Sequence, residues 1–208
     1  MKNKFLESLK KVRNNAKKRG FKQSVDLIIN LSDIDLRKTP INVFFSFPNQ
    51  VREQKICAFL NNKSPSVDRS ITKTEIGSLD KKEVKKIANE YDFFIASAPL
   101  MGMIATTFGK TLGPLGKMPN PKFGGVIMVE EEANIKKAAE KFKKAASIRA
   151  RELSIKISIG KEDMKDEQLA ENAEVVYNTL VNALPNNKEN VKSVMVKFTM
   201  SKPERLEL

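Results

Sequence analysis

The chain has 208 residues, enough for one or two domains, and its 40% apolar content is enough for packed cores. Lys and Arg number 38 against 25 Asp and Glu, a net +13 that predicts attraction to a polyanion, either nucleic acid or an acidic membrane surface. A single cysteine excludes an internal disulfide framework and a Cys-based zinc site, and the absence of His removes the commonest general base and imidazole ligand.

The N-terminal residues Met1–Phe5 are charged and lack the apolar segment of a secretion signal, and no stretch approaches the roughly 20 apolar residues of a bilayer span. A reducing, cytoplasmic location is expected. Residues 1–22 are strongly basic and place Phe5, Leu9, Val12 and Ala16 at helical spacing, so an amphipathic helix is expected, with Gly20 placed to end it. Its charges read either as a solvated face or as a nucleic-acid contact. Ser24–Leu31 alternates through Val25, Leu27, Ile29 and Leu31, and Asn42–Phe47 alternates through Val43, Phe45 and Phe47. These read as two antiparallel strands of one half-covered sheet.

The pattern changes after Pro48-Asn49-Gln50. Ile56–Leu60 and Phe93–Ala96 are continuous apolar runs, as in strands buried on both faces, and Cys57 in the first reads as a packed thiol. Between them, Asp80 can cap a helix carrying Val84, Ile87, Ala88 and Tyr91 on one face. Leu100–Phe108 predicts a short helix, Val126–Val129 a strand, and Ile135, Ala138, Ala139, Phe142 and Ala146 a helix with a basic outer face. Alternation returns at Leu153, Ile155, Ile157 and Ile159. A helix with Leu169, Ala173, Val176 and Leu180 on one face follows, then a strand with Val194, Val196, Phe198 and Met200. The two ends share one strand pattern and the middle has another. The expected fold is therefore α/β with two domains: a discontinuous α+β sandwich-like domain from 1–49 and 152–208, and an inserted Rossmann-like domain at 50–151 with a mostly parallel sheet.

The densest clustering of Gly, Pro and Lys is Phe108–Lys122, where Pro119 and Pro121 remove donors and three glycines loosen the backbone. No helix or strand is expected to persist there. Lys110, Lys117 and Lys122 ride on it, so it reads either as a phosphate-binding loop or as an ordinary long surface loop. A phosphate-gripping P-loop ending at Gly109-Lys110-Thr111 would need glycine at position 104, which is Ile104. Glu130, Glu131 and Glu132 suit a helix N-terminus better than a metal site. With no nucleophile set beside a base, no catalytic residue, metal site or cofactor is expected. Binding remains, and strand ends bearing Ser24, Asp26, Lys156 and Thr199 could reach 2′-hydroxyls and base edges. Asp26 in a basic chain reads as an acceptor for such groups or as a solvent-facing acid.

Leu112-Gly113-Pro114-Leu115-Gly116-Lys117-Met118-Pro119-Asn120-Pro121 resembles the Leu-Gly-Pro-Arg-Gly-Lys/Leu-Met/Leu-Pro-x-Pro signature of the ribosomal protein L-one family, the protein of the mobile large-subunit stalk. Phe21–Asp26, Tyr91–Ala96, Met164–Gln168 and Phe198–Pro203 are similar to further family segments in the same order, closest to the archaeal and eukaryotic branches. The resemblance implies a non-enzymatic protein, monomeric when free, that joins no membrane. Its partners would be large-subunit rRNA within the large ribosomal subunit, the exit-site tRNA as the stalk swings, and, as in many members, its own mRNA as a translational repressor. The other reading it leaves open is a stand-alone RNA-binding regulator.

By residue matching and by charge, the main RNA site would comprise Phe21, Lys22, Ser24, Asp26, Lys156, Thr199, Met200 and Ser201. A secondary site on the inserted domain and the crossing would comprise Lys110, Gly113, Pro114, Gly116, Lys117, Pro119, Arg149 and Arg151. Two departures stand out: Ser201 replaces the usual glycine, and Gln23-Ser24 replace Glu-Thr.

Overall fold

The computed structural model describes all residues except 18, 37, 151, 207 and 208, and the side chains of residues 81 and 122. Of the residues named above, Arg151 therefore lies outside the described residues, as does the side chain of Lys122. In chain order the first elements are α1 (Lys2–Asn15), β1 (Ser24–Leu31), β2 (Asn42–Ser46), β3 (Ile56–Phe59) and β4 (Arg69–Ile71). Then come α2 (Lys73–Ser78), α3 (Lys81–Glu90), β5 (Phe93–Ser97), α4 (Met101–Thr107), α5 (Gly109–Leu115) and β6 (Val126–Ile127). The last are α6 (Glu132–Lys143), β7 (Ala145–Arg149), β8 (Ser154–Lys161), α7 (Asp166–Ala183), β9 (Val191–Phe198) and β10 (Glu204–Leu206). They form two compact units, Met1–Arg52 with Ala145–Leu208, and Glu53–Lys144.

The first unit is built on an antiparallel sheet of order β10-β9-β1-β8. Its inner residues Val25, Leu27, Ile29, Val194, Val196 and Phe198 are buried with Phe5, Leu9 and Val12 of α1 and with Leu169, Ala173, Val176 and Leu180 of α7. Strict alternation in β1 follows from this one-sided burial. Helix α1 stops at Asn15, before Gly20, and Ala16 is already extended with φ −78° and ψ 128°. Val12 is its last fully packed residue, and a helix this short holds where its apolar face has a partner. Buried Asn172 donates to the carbonyls of Asn49 and Ile159 at 3.0 and 2.8 Å and accepts from the Asn49 N–H at 3.1 Å. The returning chain is thereby fixed beside α7.

Two expectations need correction here. β2 does not join the sheet of β1; it pairs antiparallel with β7, with Asn42 opposite Arg149 and Ser46 opposite Ala145. Nor does α6 extend to Ala146: it ends at Lys143, because Ile148 and Ala150 belong to the core of the first unit and draw 145–149 into a strand. The unit boundary accordingly falls between 144 and 145, earlier than 151.

The second unit carries a wholly parallel sheet of order β4-β3-β5-β6. β3 is buried along its whole length and Phe94–Ser97 of β5 likewise, as their continuous apolar runs predict. β6 is only two residues long, and Met128 and Val129, expected to continue it, are exposed. Cys57 lies in this core, where burial pushes its thiol up to about 12, so it is an unreactive packing residue.

The Gly/Pro/Lys stretch holds a helix, contrary to expectation. α5 spans Gly109–Leu115 with Pro114 inside it. Pro114 lies in the last turn, so its missing donor removes a single backbone bond, while Phe108 and Leu112 are fully buried. Tertiary packing of these two residues outweighs poor helix propensity. Gly116 ends the helix in the left-handed region at φ 71°, with Lys117 N–H donating to Leu112 O at 3.0 Å and Gly116 N–H to Gly113 O at 3.0 Å. This is a Schellman cap, and it gives Gly116 a structural reason.

Candidate RNA interface

The inner face of the β10-β9-β1-β8 sheet is packed, so the residues of opposite parity face outward. On β1 these are Ser24, Asp26, Ile28 and Asn30. Register places Asp26 beside Ser158 of β8 and Lys197 of β9, and Ile28 beside Lys156 and Met195. Asn30 donates to the Ser193 hydroxyl at 2.9 Å across the same face. Among the described residues, the outer face thus mixes polar and basic side chains with Ile28 and Met195, and Asp26 is the carboxylate among them. Partial burial holds the Asp26 carboxyl above its ordinary range, and Lys197 opposes that shift.

At the end of the sheet where β1 begins and β9 ends, three short segments meet. Thr199 Oγ1 accepts from Ser24 N–H at 3.1 Å and donates to Ser24 O at 3.3 Å, while Thr199 N–H donates to Ser24 O at 3.1 Å. Met200 N–H donates to the buried Gln23 Oε1 at 3.1 Å. Ser201 Oγ accepts from Phe198 N–H at 2.8 Å, closing a turn over 198–201. Its side chain therefore serves the turn itself. Lys22 Nζ pairs with Asp163 Oδ2 at 2.7 Å, and that hydrogen bond holds the Asp163 carboxyl below its ordinary range. An open groove runs between Arg19–Lys22 and Glu162-Asp163. Phe21 and Met200, 54% and 59% exposed, stand out of this end as large apolar side chains.

Of the main-site residues predicted, the structure brings Phe21, Lys22, Ser24, Thr199, Met200 and Ser201 together at this end, with Asp26 and Lys156 on the outer sheet face. Arg149 joins Glu152, Ser154 and Lys156 along a separate groove of the same unit. Sequence reasoning noted Gln23 only as a departure from the family pattern, since burial is invisible in a polar residue, and missed Lys197. The parity of β9, counted from buried Val196 and Phe198, points Lys197 outward and could have found it.

In the second unit Lys110, Gly113, Pro114 and Gly116 lie toward the surface on α5 and its cap, whereas Pro119 is buried. Lys117 is turned inward: its Nζ donates to Ala88 O and Tyr91 O, both at 2.8 Å, at the C-terminus of α3. A cation suits that end of a helix, where carbonyls are unsatisfied. Glu130 and Glu132 are likewise engaged, Glu130 accepting from Asn61 N–H and Nδ2 at 3.0 and 2.6 Å and Glu132 from the Ser64 and Ser66 hydroxyls at 2.9 and 2.6 Å. Among the described residues no cluster of acidic or thiol side chains could hold a metal ion, and no helix is long and apolar enough to cross a membrane.

The profile of the Ribosomal protein L1p/L10e family matches residues 9–202. The chain belongs to this family. It is 37% identical over 216 residues to the large ribosomal subunit protein uL1 of Thermococcus kodakarensis, covering 98% of this chain and 97% of that one. Similar figures hold for the uL1 proteins of Methanothermococcus thermolithotrophicus, 35% over 222 residues, and Nanoarchaeum equitans, 32% over 210. The match runs through the elements of both units, so the L1-family assignment covers the interrupted sheet, the parallel sheet and the α5 segment alike.

Proposed function

We infer that this L1-family chain is a large-subunit ribosomal protein that binds the stalk segment of large-subunit rRNA through the first unit. The observation that carries this reading is the end of the sheet at Ser24 and Thr199. Two largely exposed apolar side chains, Phe21 and Met200, flank hydrogen-bonded strand ends beside a basic face. Exposed Phe and Met suit stacking and packing on bases and sugars, Lys156 and Lys197 suit phosphates, and Asp26 suits hydroxyl or amine donors. The net charge of +13 supplies a salt-dependent attraction. In the assembled particle the protein takes part in release of the exit-site tRNA, and the same face binds a like-shaped structure in its own mRNA and represses translation.

The test is binding of a stalk rRNA fragment by Met200→Ala and Thr199→Val. Both should weaken the specific complex about tenfold, the size of one lost interaction of about 1.4 kcal/mol, without lowering the helical signal of the free protein. Unchanged affinity in both variants would refute this face. A leader transcript of the protein's own mRNA that fails to compete with the rRNA fragment would remove the repressor role and leave the ribosomal one.

A further inference from the structure

Resting on that reading, we propose that Gln23 is the positioning residue of the RNA face, acting through the backbone of Met200. Gln23 is 1% exposed, so it touches no RNA. Its Oε1 accepts the Met200 N–H at 3.1 Å from inside the protein. The amide therefore fixes the height and rotation of the turn whose side chain is left standing in solvent.

Gln23 is itself held on both sides. Glu162 N–H donates to Gln23 O at 2.8 Å, and Gln23 N–H donates to Glu162 Oε2 at 3.3 Å. Arg13 of α1 in turn fixes the segment that carries Glu162. Its Nη1 donates to Glu162 O at 3.0 Å, its Nη2 to Met164 O at 3.2 Å, and its Nε and Nη2 to Asp166 Oδ1 at 3.0 and 2.7 Å. The same guanidinium lies 5.7 Å over the ring of Phe198, the residue that opens the 198–201 turn. Arg13, Glu162 and Gln23 form a continuous chain of contacts ending on Met200 N–H. Thr199 is pinned separately to Ser24. Without Gln23 Oε1 the Met200 amide loses its buried acceptor, and the turn keeps only its attachments at Thr199 and within 198–201. A face organised in advance does not lose ordering entropy on binding, which is how a residue that never meets RNA changes affinity.

The experiment combines amide hydrogen exchange with a double-mutant cycle on the full chain. Gln23→Asn keeps a buried amide but withdraws it by one methylene; Gln23→Leu removes the acceptor. Both should speed exchange of the Met200 N–H, a readout that needs no RNA. Each should weaken binding of the stalk rRNA fragment about tenfold, as expected for one hydrogen bond of about 1.4 kcal/mol. The binding of inorganic polyphosphate, a polyanion without bases that measures charge alone, should not change. If Gln23 acts only through Met200, Gln23→Asn combined with Met200→Ala should bind within about twofold of Met200→Ala alone. A fully additive loss in the double variant, or faster exchange with unchanged affinity, overturns the positioning role while leaving the RNA face intact. Met200→Ala without effect refutes the positioning role, and only if Thr199→Val is also without effect does the face fall with it.

Discussion

Replacing Lys117 by Met removes the ammonium that donates to Ala88 O and Tyr91 O, both at 2.8 Å, and keeps a side chain of similar length. Hydrogen bonds from a charged donor contribute about 1.5–3 kcal/mol each, but Lys117 is half-buried and water can replace part of both, leaving about 2 kcal/mol for the pair. The chain has no Trp and two Tyr, Tyr91 in the second unit and Tyr177 in the first. In a Tyr177→Phe background, tyrosine fluorescence therefore follows the second unit alone. With a urea dependence of about 1–2 kcal/mol/M for a small unit, Lys117→Met should lower its midpoint by about 1–2 M. RNA affinity of the folded protein, and its dependence on salt, should be unaltered. An unmoved urea midpoint with a salt slope reduced by about one would refute the reasoning, for it would place Lys117 on a phosphate.

Asp26→Asn should weaken the stalk rRNA complex yet stabilise the free protein at pH 7. Because burial raises the folded-state carboxyl, the ionised form opposes folding above that value, and the opposition disappears below the unfolded value of about 3.9. The stability gap between variant and parent, measured by thermal melts, should therefore close as pH falls through the carboxylate range; a constant gap would contradict the assignment. Gly160→Ala would place its Cβ 2.4 Å from Leu169 Cδ2 and 2.7 Å from Met164 Sδ. Overpacking of this kind destabilises by about 1–3 kcal/mol, which should appear in the Tyr177 urea transition and leave Tyr91 unchanged.

What could be read from sequence followed from how each element is buried. β1, β8 and β9 bury one face, so their period of two is plain, and β3 and β5 bury both faces, so they read as apolar runs. β7 and β10 are short and weakly patterned, and only pairing with β2 and β9 defines them. α5 was hidden because its composition opposes a helix and only the burial of Phe108 and Leu112 sustains it. At the candidate RNA face, residue type alone did not show that the apolar side chains of Phe21 and Met200 stay exposed. Nor does a lysine declare whether it meets a phosphate or a carbonyl, as Lys117 does at Ala88 and Tyr91, and residue type does not show that Gln23 is enclosed.

The central strand β1 comes from the first segment of the chain, yet both of its neighbours, β8 and β9, are encoded after the second unit. During synthesis a ribosome therefore releases β1 with two bare edges and an uncovered apolar face, while β3 to α6 follow as a contiguous unit able to fold by itself. Ser24 meets Thr199 only after nearly the whole polypeptide has emerged. A truncated product carries most of the positive charge but not the joined strand ends, so it would be held by RNA loosely and without discrimination. On the proposed RNA reading, the topology would make specific recognition a property of the finished chain alone.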